Sequence, residues 1–190
     1  MNRTHLEFLA SPQWAEQLRA EVLPWIATAG DLGDDILEIG PGPGVSTDIL
    51  RGLAPHITAV EVDRALADAL RDRVAGTGVD VIWGDGADTG LGSDRFSAAT
   101  SFSVLHHVPS EEHQDRILAE IHRLLRPGGI FVGIDSLDLR PIRDGHDGDT
   151  FVPVDPEGFP ERLAGLGFGD TRIDRTEYHF RFATTKPGGA

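Results

Sequence analysis

The sequence contains no cysteine, and this absence excludes several kinds of site. A chain without thiols forms no disulfide, binds no zinc ion or iron–sulfur cluster through thiolates, and has no cysteine nucleophile. Its 190 residues are enough for one domain with a small appendage. Hydrophobic residues make up 39% and charged residues 25% of the chain, which is the composition of a folded globular protein.

Basic residues are also scarce, since 17 Lys and Arg stand against 31 Asp and Glu and leave a net charge of -14. Proteins that bind nucleic acid neutralise its phosphates with clustered Lys and Arg, and no such cluster stands out here. We therefore expect no nucleic-acid partner. The composition leaves the oligomeric state open.

Long apolar runs are absent as well. No stretch approaches the roughly 18 residues that a membrane-spanning helix needs, so the sequence predicts no membrane span. Residues 1–8 lack a basic segment followed by an apolar one, which is the pattern of a secretory signal. Together these two observations predict a cytoplasmic location.

From residue 34 onward, strand-like and helix-like segments alternate. The strand candidates are short, nearly continuous apolar runs, which are typical of parallel strands buried on both faces. They are residues 36–39, 57–62, 79–83, 96–101 and 130–134. Two further β-like runs, 171–173 and 178–184, favour a hairpin at the sheet edge. The alternation predicts an α/β fold with a doubly wound sheet.

For one predicted helix, after residue 110, the sequence contains signals for both the start and the end. Ser110 stands at the N-cap position, with two acidic residues in the first turn. An apolar stripe with helical spacing follows, formed by Ile117, Leu118, Ile121, Leu124 and Leu125. The Pro-Gly-Gly sequence at residues 127–129 is expected to end the helix before the strand at residue 130.

Two segments fall outside the alternation. Residues 11–27 predict a helix that Pro24 kinks or ends, with one apolar face formed by Trp14, Leu18, Val22 and Trp25. Residues 137–154 are rich in Asp, Gly, Arg and Pro. We therefore expect an N-terminal helical cap over residues 1–33 and a main domain over 34–190 that carries an insertion at 137–154. The two Trp side chains either pack in the core, which we favour, or stack on a ligand.

The most informative segment is the loop after the first strand, Gly40-Pro41-Gly42-Pro43-Gly44, which precedes a helix at about residues 45–53. Glycines there let the backbone turn tightly and approach a ligand closely. The Gly-x-Gly-x-Gly spacing differs from the Gly-x-Gly-x-x-Gly of dinucleotide sites. Glu38 stands two residues before the loop, where its carboxylate would repel a phosphate. The pattern therefore favours a ligand with a cationic group.

Two more acidic residues end the next two strands. Glu61 lies about 20 residues after the loop, where a carboxylate accepts hydrogen bonds from ribose hydroxyls. Asp85 follows the third strand and is placed to accept from an adenine amino group. Ligands of open α/β sheets bind at the carboxyl ends of the strands, so we expect these side chains to share one site with the glycine loop.

These motifs resemble those of class I S-adenosylmethionine-dependent methyltransferases of the small-molecule type. The resemblance covers about residues 34–137 and includes the glycine loop, the acidic motif at 60–63, the Gly-Asp-Gly at 84–86 and the segments 96–108 and 124–129. It implies a Rossmann-like sheet of seven strands, mostly parallel with an antiparallel last strand, and helices on both faces. One departure is Ser97, where the family usually has Asp, and we expect that position to be structural.

The resemblance implies S-adenosylmethionine as cofactor, with the methionine end near Glu38 and Gly40, the ribose at Glu61 and the adenine at Asp85. The complete set of cofactor-binding residues that it implies is Glu38, Gly40, Pro41, Gly42, Gly44, Glu61, Val62, Asp85, Gly86 and Ser101.

Residues and motifs that are absent from the sequence also restrict the kind of methyl acceptor that we expect. Cytosine C5 methylation requires a thiolate, and the chain has none. Residues 100–103 read Thr-Ser-Phe-Ser in place of the Asn/Asp-Pro-Pro-aromatic signature of nucleic-acid amine methylases, and 96–109 lack the carboxylates of metal-dependent catechol-type enzymes. The sequence therefore predicts metal-free, in-line methyl transfer to a small molecule, with the acceptor pocket built from 1–27 and 137–154.

A general base, if one acts, is expected to be a histidine: His106 or His107 after the fourth strand, or His146. Each has an alternative reading, because the first two also suit packing and His146 lies in an Asp- and Gly-rich segment that favours a solvated turn over a metal site. Asp135 either faces the acceptor or caps a turn. The remaining histidines show no pattern and are interpreted as surface or structural: His5, His56, His113, His122 and His179.

Two other functions stay open at this point. A nicotinamide-dependent oxidoreductase would share the fold, but the glycine spacing and Glu38 disfavour it. A protein that binds the cofactor without turnover, as a sensor or partner subunit, is compatible with the small acceptor region.

Overall fold

The computed structural model describes residues 3–189, with the backbone only at Arg3. Residues 1, 2 and 190 lie outside the described part. The predicted domain ranges 1–33 and 34–190 therefore each have one end outside the described residues. A seven-stranded sheet with the order β3-β2-β1-β4-β5-β7-β6 forms the centre. Its strands are β1 (Asp35–Ile39), β2 (His56–Glu61), β3 (Val79–Trp83), β4 (Phe96–Phe102), β5 (Leu125–Ser136), β6 (Arg172–Arg175) and β7 (His179–Thr185).

The strand directions confirm the predicted fold class. β7 runs antiparallel to both of its neighbours, β5 and β6, while β1 to β5 pair in parallel. The α-helices are α1 (Arg3–Leu9), α2 (Pro12–Gln17), α3 (Leu23–Ala29), α4 (Val45–Leu50), α5 (Arg64–Arg73), α6 (Glu111–Leu124), α7 (Arg140–Gly145) and α8 (Phe159–Gly165). Within the described residues, no helix has the length and apolarity needed to cross a bilayer.

The continuous apolar runs arise because both faces of the sheet are covered. Successive side chains of a strand point to opposite faces, and in β1 Ile36 packs in one core cluster while Leu37 packs in the other. The first cluster includes Leu50 of α4 and Leu70 of α5, and the second includes Leu118 of α6. Neither face of the central strands is left for water, so most of their side chains are apolar, and the polar ones among them are buried, as Glu38 and Thr100 are.

β5 begins earlier than the sequence predicts. α6 ends at Leu124 and β5 starts at Leu125, so the Pro-Gly-Gly sequence lies inside the strand and does not separate it from the helix. The register explains the difference, since Phe96 of β4 pairs with Leu125 and Ala98 already pairs with Ile130. The extra residues of β5 form a bulge, in which Gly128 adopts a φ of +82°.

The N-terminal helices pack on one face of the sheet. Ser11 caps α2 by accepting from the backbone N–H of Trp14 at 3.2 Å. The chain then passes through a π-helical turn, Leu18–Val22, into α3, whose first turn contains Pro24. Trp14 and Trp25 are both buried in the core cluster of this face, as the favoured interpretation predicted, and Trp14 also lines the cavity described below.

The insertion at 137–154 is more ordered than its composition suggests. It contains the short helix α7, and the backbone N–H of Val152 donates to the carbonyl of His106 at 2.8 Å. The predicted solvated turn around His146 is wrong, because that side chain is only 7% exposed. The segment therefore lies against the turn that follows β4.

Candidate active site

The loop after β1 lies at the carboxyl ends of the central strands. β1 pairs with β2 and β4, and Ile39 lies opposite Val60 and Ser101. Gly40 has a φ of +68°, and a Cβ there would lie 2.7 Å from the side chain of Val104. At Gly42, with a φ of +54°, a Cβ would meet nothing within 4 Å. The loop thus requires glycine for its backbone shape and leaves open space in front of Gly42.

That open space belongs to a cavity of about 380 Å³. The glycine loop and Glu61 form one wall of the cavity. The opposite side is mostly apolar and comes from α1, α2 and the end of β4 with its following turn, through Leu6, Leu9, Trp14, Phe102 and His107.

A second cavity of about 250 Å³ adjoins the first. It is lined by Asp85 and Gly86 after β3 and by His113 and Ile117 of α6. The two cavities share four lining residues: Gly40, Val62, Val104 and His107. Together they form an elongated space with a carboxylate at each of two positions, Glu61 in the first cavity and Asp85 in the second.

Glu61 holds the glycine loop. One carboxylate oxygen accepts from the backbone N–H of Gly42 at 2.9 Å, and the other accepts from that of Asp63 at 2.9 Å. Burial raises the pKa of Glu61 above its ordinary value, although both backbone donors act against this shift. Since each carboxylate oxygen has two lone pairs, acceptor capacity remains for a ligand.

Glu38 lies behind the loop. It is fully buried, and its oxygens accept from the hydroxyls of Ser46 at 2.5 Å and Thr47 at 2.6 Å, both in the first turn of α4. Burial raises the pKa of Glu38 to about 7, against the lowering effect of the two hydroxyl donors. Glu38 does not line either cavity, whereas Ser46 lines the first. The geometry therefore connects β1 to the start of α4 through this carboxyl group.

Asp85 is paired with a residue that the sequence did not associate with it. It accepts from the backbone N–H of Ala87 at 2.9 Å and contacts Nε2 of His113 at 3.0 Å. Burial would raise the pKa of Asp85, but the Ala87 N–H and His113 outweigh it, and the pKa lies below its usual value. Asp85 is therefore a carboxylate at neutral pH.

The other predicted cofactor-binding residues divide into two groups. Pro41 lines the first cavity, Gly86 the second, and Val62 both. Gly44 lines neither; it precedes α4 with a φ of +83°, and a Cβ there would lie 2.4 Å from Leu70. Ser101 is buried outside both cavities.

Ser97, which departs from the family pattern, has a structural role. Its single hydroxyl proton has two carbonyl acceptors within reach, Leu32 at 2.7 Å and Asp35 at 2.9 Å, and the hydroxyl oxygen accepts from the backbone N–H of Asp35 at 3.0 Å. The side chain therefore links β4 to the start of β1.

The three histidines predicted as bases come together in one cluster, and His5 of α1 joins them. Ring centroids of the four are 4.2–6.0 Å apart. Of the four, only His107 lines the cavities. We call this set, His5, His106, His107 and His146, the histidine cluster.

Asp135 orients one member of the cluster. It is buried in β5 and contacts Nδ1 of His106 at 2.5 Å, while the backbone N–H groups of Leu105 and Ser136 donate to it at 2.8 Å. Burial would raise the pKa of Asp135, but His106 and the backbone donors outweigh it and lower the pKa. Asp135 thus contacts the histidine and does not line either cavity.

Sequence reasoning missed two residues of this region, His5 and His113. His5 is separated from His106 by about 100 residues, and no local spacing relates them. His113 carried a weak signal, because it lies in the first turn of α6, three residues after the N-cap Ser110, and α6 begins at the carboxyl side of the sheet.

Residues 37–133 match a family model described as a methyltransferase domain. Among curated relatives, a ribosomal RNA small subunit methyltransferase A from Deinococcus radiodurans is 44% identical over 69 residues, 35% of this chain and 24% of that protein. A demethylmenaquinone methyltransferase from Clavibacter sepedonicus is 31% identical over 126 residues, 64% of this chain and 49% of that protein. These matches thus span half or less of each relative.

A solved structure shows the same fold at low identity. A phosphoethanolamine N-methyltransferase 2 from Haemonchus contortus, in complex with phosphomonomethylethanolamine and S-adenosylhomocysteine, superposes with a TM-score of 0.73 at 14% identity. The superposition covers 87% of this chain and 52% of that one. The likeness therefore extends well beyond the segment that the family model matches.

Proposed function

The chain belongs to the methyltransferase domain family, whose model matches about half of its length, and we propose that it transfers a methyl group from S-adenosylmethionine to a small organic acceptor. The observation that carries this proposal is the pair of adjoining cavities with Glu61 in one and Asp85 in the other. Their order along the carboxyl edge of the sheet suits a nucleoside whose ribose lies at Glu61 and whose adenine lies at Asp85.

The lining of the cavities supports this placement of the donor. Asp85, a carboxylate, offers an acceptor to the adenine amino group, and Ile117 offers an apolar surface beside it. Glu61 offers its remaining lone pairs to the ribose hydroxyls. The methionine part then lies in the first cavity, in front of Gly42, where a side chain on the loop would fill the space.

The walls of the first cavity favour a small acceptor. Leu6 and Leu9 of α1 and Trp14 of α2 lie across from the glycine loop, so the N-terminal helices enclose the space beside the donor. This arrangement suits the predicted cap at 1–33, whereas no residue of the predicted insertion at 137–154 lines either cavity. The net charge of -14 disfavours a nucleic-acid acceptor. The relatives act on different acceptors by name, so family membership alone does not select one.

In this proposal the protein acts mainly by positioning. The sulfonium group of the donor already activates the methyl carbon, and an in-line attack requires the acceptor atom to be held opposite the leaving sulfur. His107 is the member of the histidine cluster that reaches both cavities, so it is the cluster residue placed to touch the acceptor.

Two measurements test the proposal. S-adenosylmethionine and S-adenosylhomocysteine should bind and raise the melting temperature, whereas NAD should do neither. The protein is then incubated with methyl-labelled donor and either a low-molecular-weight metabolite fraction or ribosomal RNA. Label in a small organic product supports the proposal. Label in RNA rejects the small-molecule acceptor, and binding without turnover on any fraction favours the sensor alternative.

A further inference from the structure

The histidine cluster leaves several buried ring nitrogens without partners. Nε2 of His106 and of His146 and both ring nitrogens of His107 are inaccessible to solvent and form no hydrogen bond within the structure. His106 is 0% exposed and His146 7%. Buried polar atoms are nearly always paired, so unpaired nitrogens on three neighbouring imidazoles indicate a missing partner that all three share.

Hydrogen bonds at Nδ1 fix which ring nitrogen of His106 and of His146 carries the proton. A carbonyl oxygen only accepts, so the 2.7 Å contact between His146 Nδ1 and the carbonyl of Ile142 requires the proton on Nδ1. The carboxylate of Asp135 requires the same of His106 Nδ1. In both rings the lone pair is therefore on Nε2. A carboxylate or carbonyl that fixes the tautomer of a histidine in this way is typical of metal-ligating histidines.

The four rings can present one nitrogen each to a common centre. One ligand atom from each of His5, His106, His107 and His146 lies within 4.8 Å of the others. Ligands of a tetrahedral zinc ion, at about 2.1 Å from it, are roughly 3.4 Å apart. Binding would therefore draw the four ligand atoms together by on the order of 1 Å.

The electrostatics of the cluster suit a cation. A histidine binds a metal through an unprotonated ring nitrogen, and the hydrogen bonds to Nδ1 of His106 and His146 leave such a nitrogen at Nε2 of each ring. Asp135 carries a negative charge beside His106, and Asp149 lies 3.7 Å from His107 Nδ1. Neutral imidazoles with carboxylates behind them are unfavourable for an anion.

We infer that the histidine cluster is a binding site for a Zn²⁺ ion, and that the bound ion fixes α1 over the first cavity. Imidazole ligands without thiolates suit zinc and its first-row neighbours and do not suit Mg²⁺ or Ca²⁺. His5 lies on the same helix as Leu6 and Leu9, which line the first cavity, so a metal bond to His5 would hold that wall in place.

This inference does not rest on the methyl transfer proposed above, and it revises the expectation of a metal-free protein. It also competes with the prediction of a histidine base, because a ring nitrogen bound to zinc has no lone pair for a proton. His106, His107 and His146, which the sequence suggested as candidates for a general base, therefore act as metal ligands in this inference.

The first test measures metal binding by the untagged chain. After chelator treatment and dialysis, ZnCl₂ is titrated calorimetrically, and the retained metal is quantified. We expect one ion per chain. The variants His5→Gln and His146→Asn should each weaken binding at least about tenfold, as should Asp135→Asn acting through His106. His56→Asn, which changes an exposed histidine at the N-terminal end of β2, is the matched control and should bind as the wild type does.

The second test uses wild-type protein alone and so does not depend on how well the variants fold. X-ray absorption of the zinc-loaded chain should show imidazole scattering from three or four ligands, and amide exchange of residues 3–9 should slow when zinc is added. A zinc shell made of oxygens, unchanged exchange in α1, or equal binding by the His146→Asn and control variants would overturn the inference. Binding of S-adenosylhomocysteine, measured in the same samples, reports separately on the proposed function.

Discussion

The carboxylate of Glu61, at the end of β2, accepts the backbone N–H of Gly42, in the loop after β1, at 2.9 Å. This contact connects two motifs that are 19 residues apart in the chain and makes one element of them. The loop takes its shape from Glu61, and the same carboxyl group lines the cavity in front of the loop. In the proposed function, loop geometry and ligand binding therefore depend on a single side chain.

Replacing Glu61 by Gln should weaken cofactor binding strongly. The Gln side chain has one acceptor oxygen in place of two, so its amide N–H₂ must face either a backbone donor or a ribose hydroxyl. The loss of one such hydrogen bond, about 1.5–3 kcal/mol, corresponds to an affinity for S-adenosylhomocysteine on the order of 10- to 100-fold lower. Calorimetry measures this directly. Asp80→Asn, at an exposed position of β3, removes the same charge and should leave the affinity unchanged.

Two glycines of one loop should respond differently to the same substitution. Both Gly40→Ala and Gly42→Ala place a side chain in the left-handed region, at a cost of about 1–2 kcal/mol. Gly40→Ala adds a contact of 2.7 Å with Val104 and should lose about 1–3 kcal/mol more of unfolding free energy. Gly42→Ala projects into open space and should mainly lower cofactor affinity. Urea unfolding and calorimetry on both variants separate the effects; equal losses of stability would contradict the assignment.

The adenine position at Asp85 is testable by changing the ligand. S-inosylhomocysteine carries a C6 carbonyl in place of the amino group and would face the Asp85 carboxylate with an acceptor. Wild-type protein should bind it at least about tenfold more weakly than S-adenosylhomocysteine, since a hydrogen bond to a charged group is lost. Asp85→Asn, whose amide donates as well as accepts, should bind the two ligands nearly equally. If the preference persists in this variant, the adenine lies elsewhere.

The strands of the fold were predictable because burial on both faces leaves a continuous apolar run. β1 to β4 begin and end within about one residue of the predicted bounds, and β3 matches its prediction at both ends. β5 was wrong at its start because its bulge is set by pairing with β4, a contact between residues about 30 apart that no local pattern encodes. α7 was missed because its Arg, Pro, Asp and Gly residues lack an apolar stripe.

Part of the candidate site was predictable, because the arrangement of parallel strands places certain residues at one edge of the sheet. The glycine loop, Glu61 and Asp85 each lie just after a strand, so their meeting follows from the parallel sheet alone. The histidine cluster does not follow from the sheet, because His5 comes from α1 and His146 from the insertion. Only tertiary packing brings these two residues to the turn after β4. The position of Glu38, whose carboxyl group accepts from Ser46 and Thr47 and lines neither cavity, also depends on how α4 packs.

The buried carboxyl group of Glu38 should make the folded protein less stable as the pH rises. Its pKa is about 7 in the folded protein and 4.5 in an exposed chain, because burial favours the neutral form. Between these two pH values the folded state holds a proton that the unfolded state has lost, so the free energy of unfolding must fall as pH increases. The full effect is on the order of 3 kcal/mol and is complete above about pH 7.

The variant Glu38→Gln isolates this contribution, since Gln is neutral throughout and similar in size. Urea unfolding of both proteins at several pH values from 4.5 to 8 gives the difference in unfolding free energy, wild type minus variant. Contributions from all other titrating groups largely cancel in that difference. It should decrease across the interval and level off above pH 7. A difference that stays constant or increases would mean that Ser46 and Thr47 keep the carboxylate charged, and that the group joining β1 to α4 is an ionised acceptor at all these pH values.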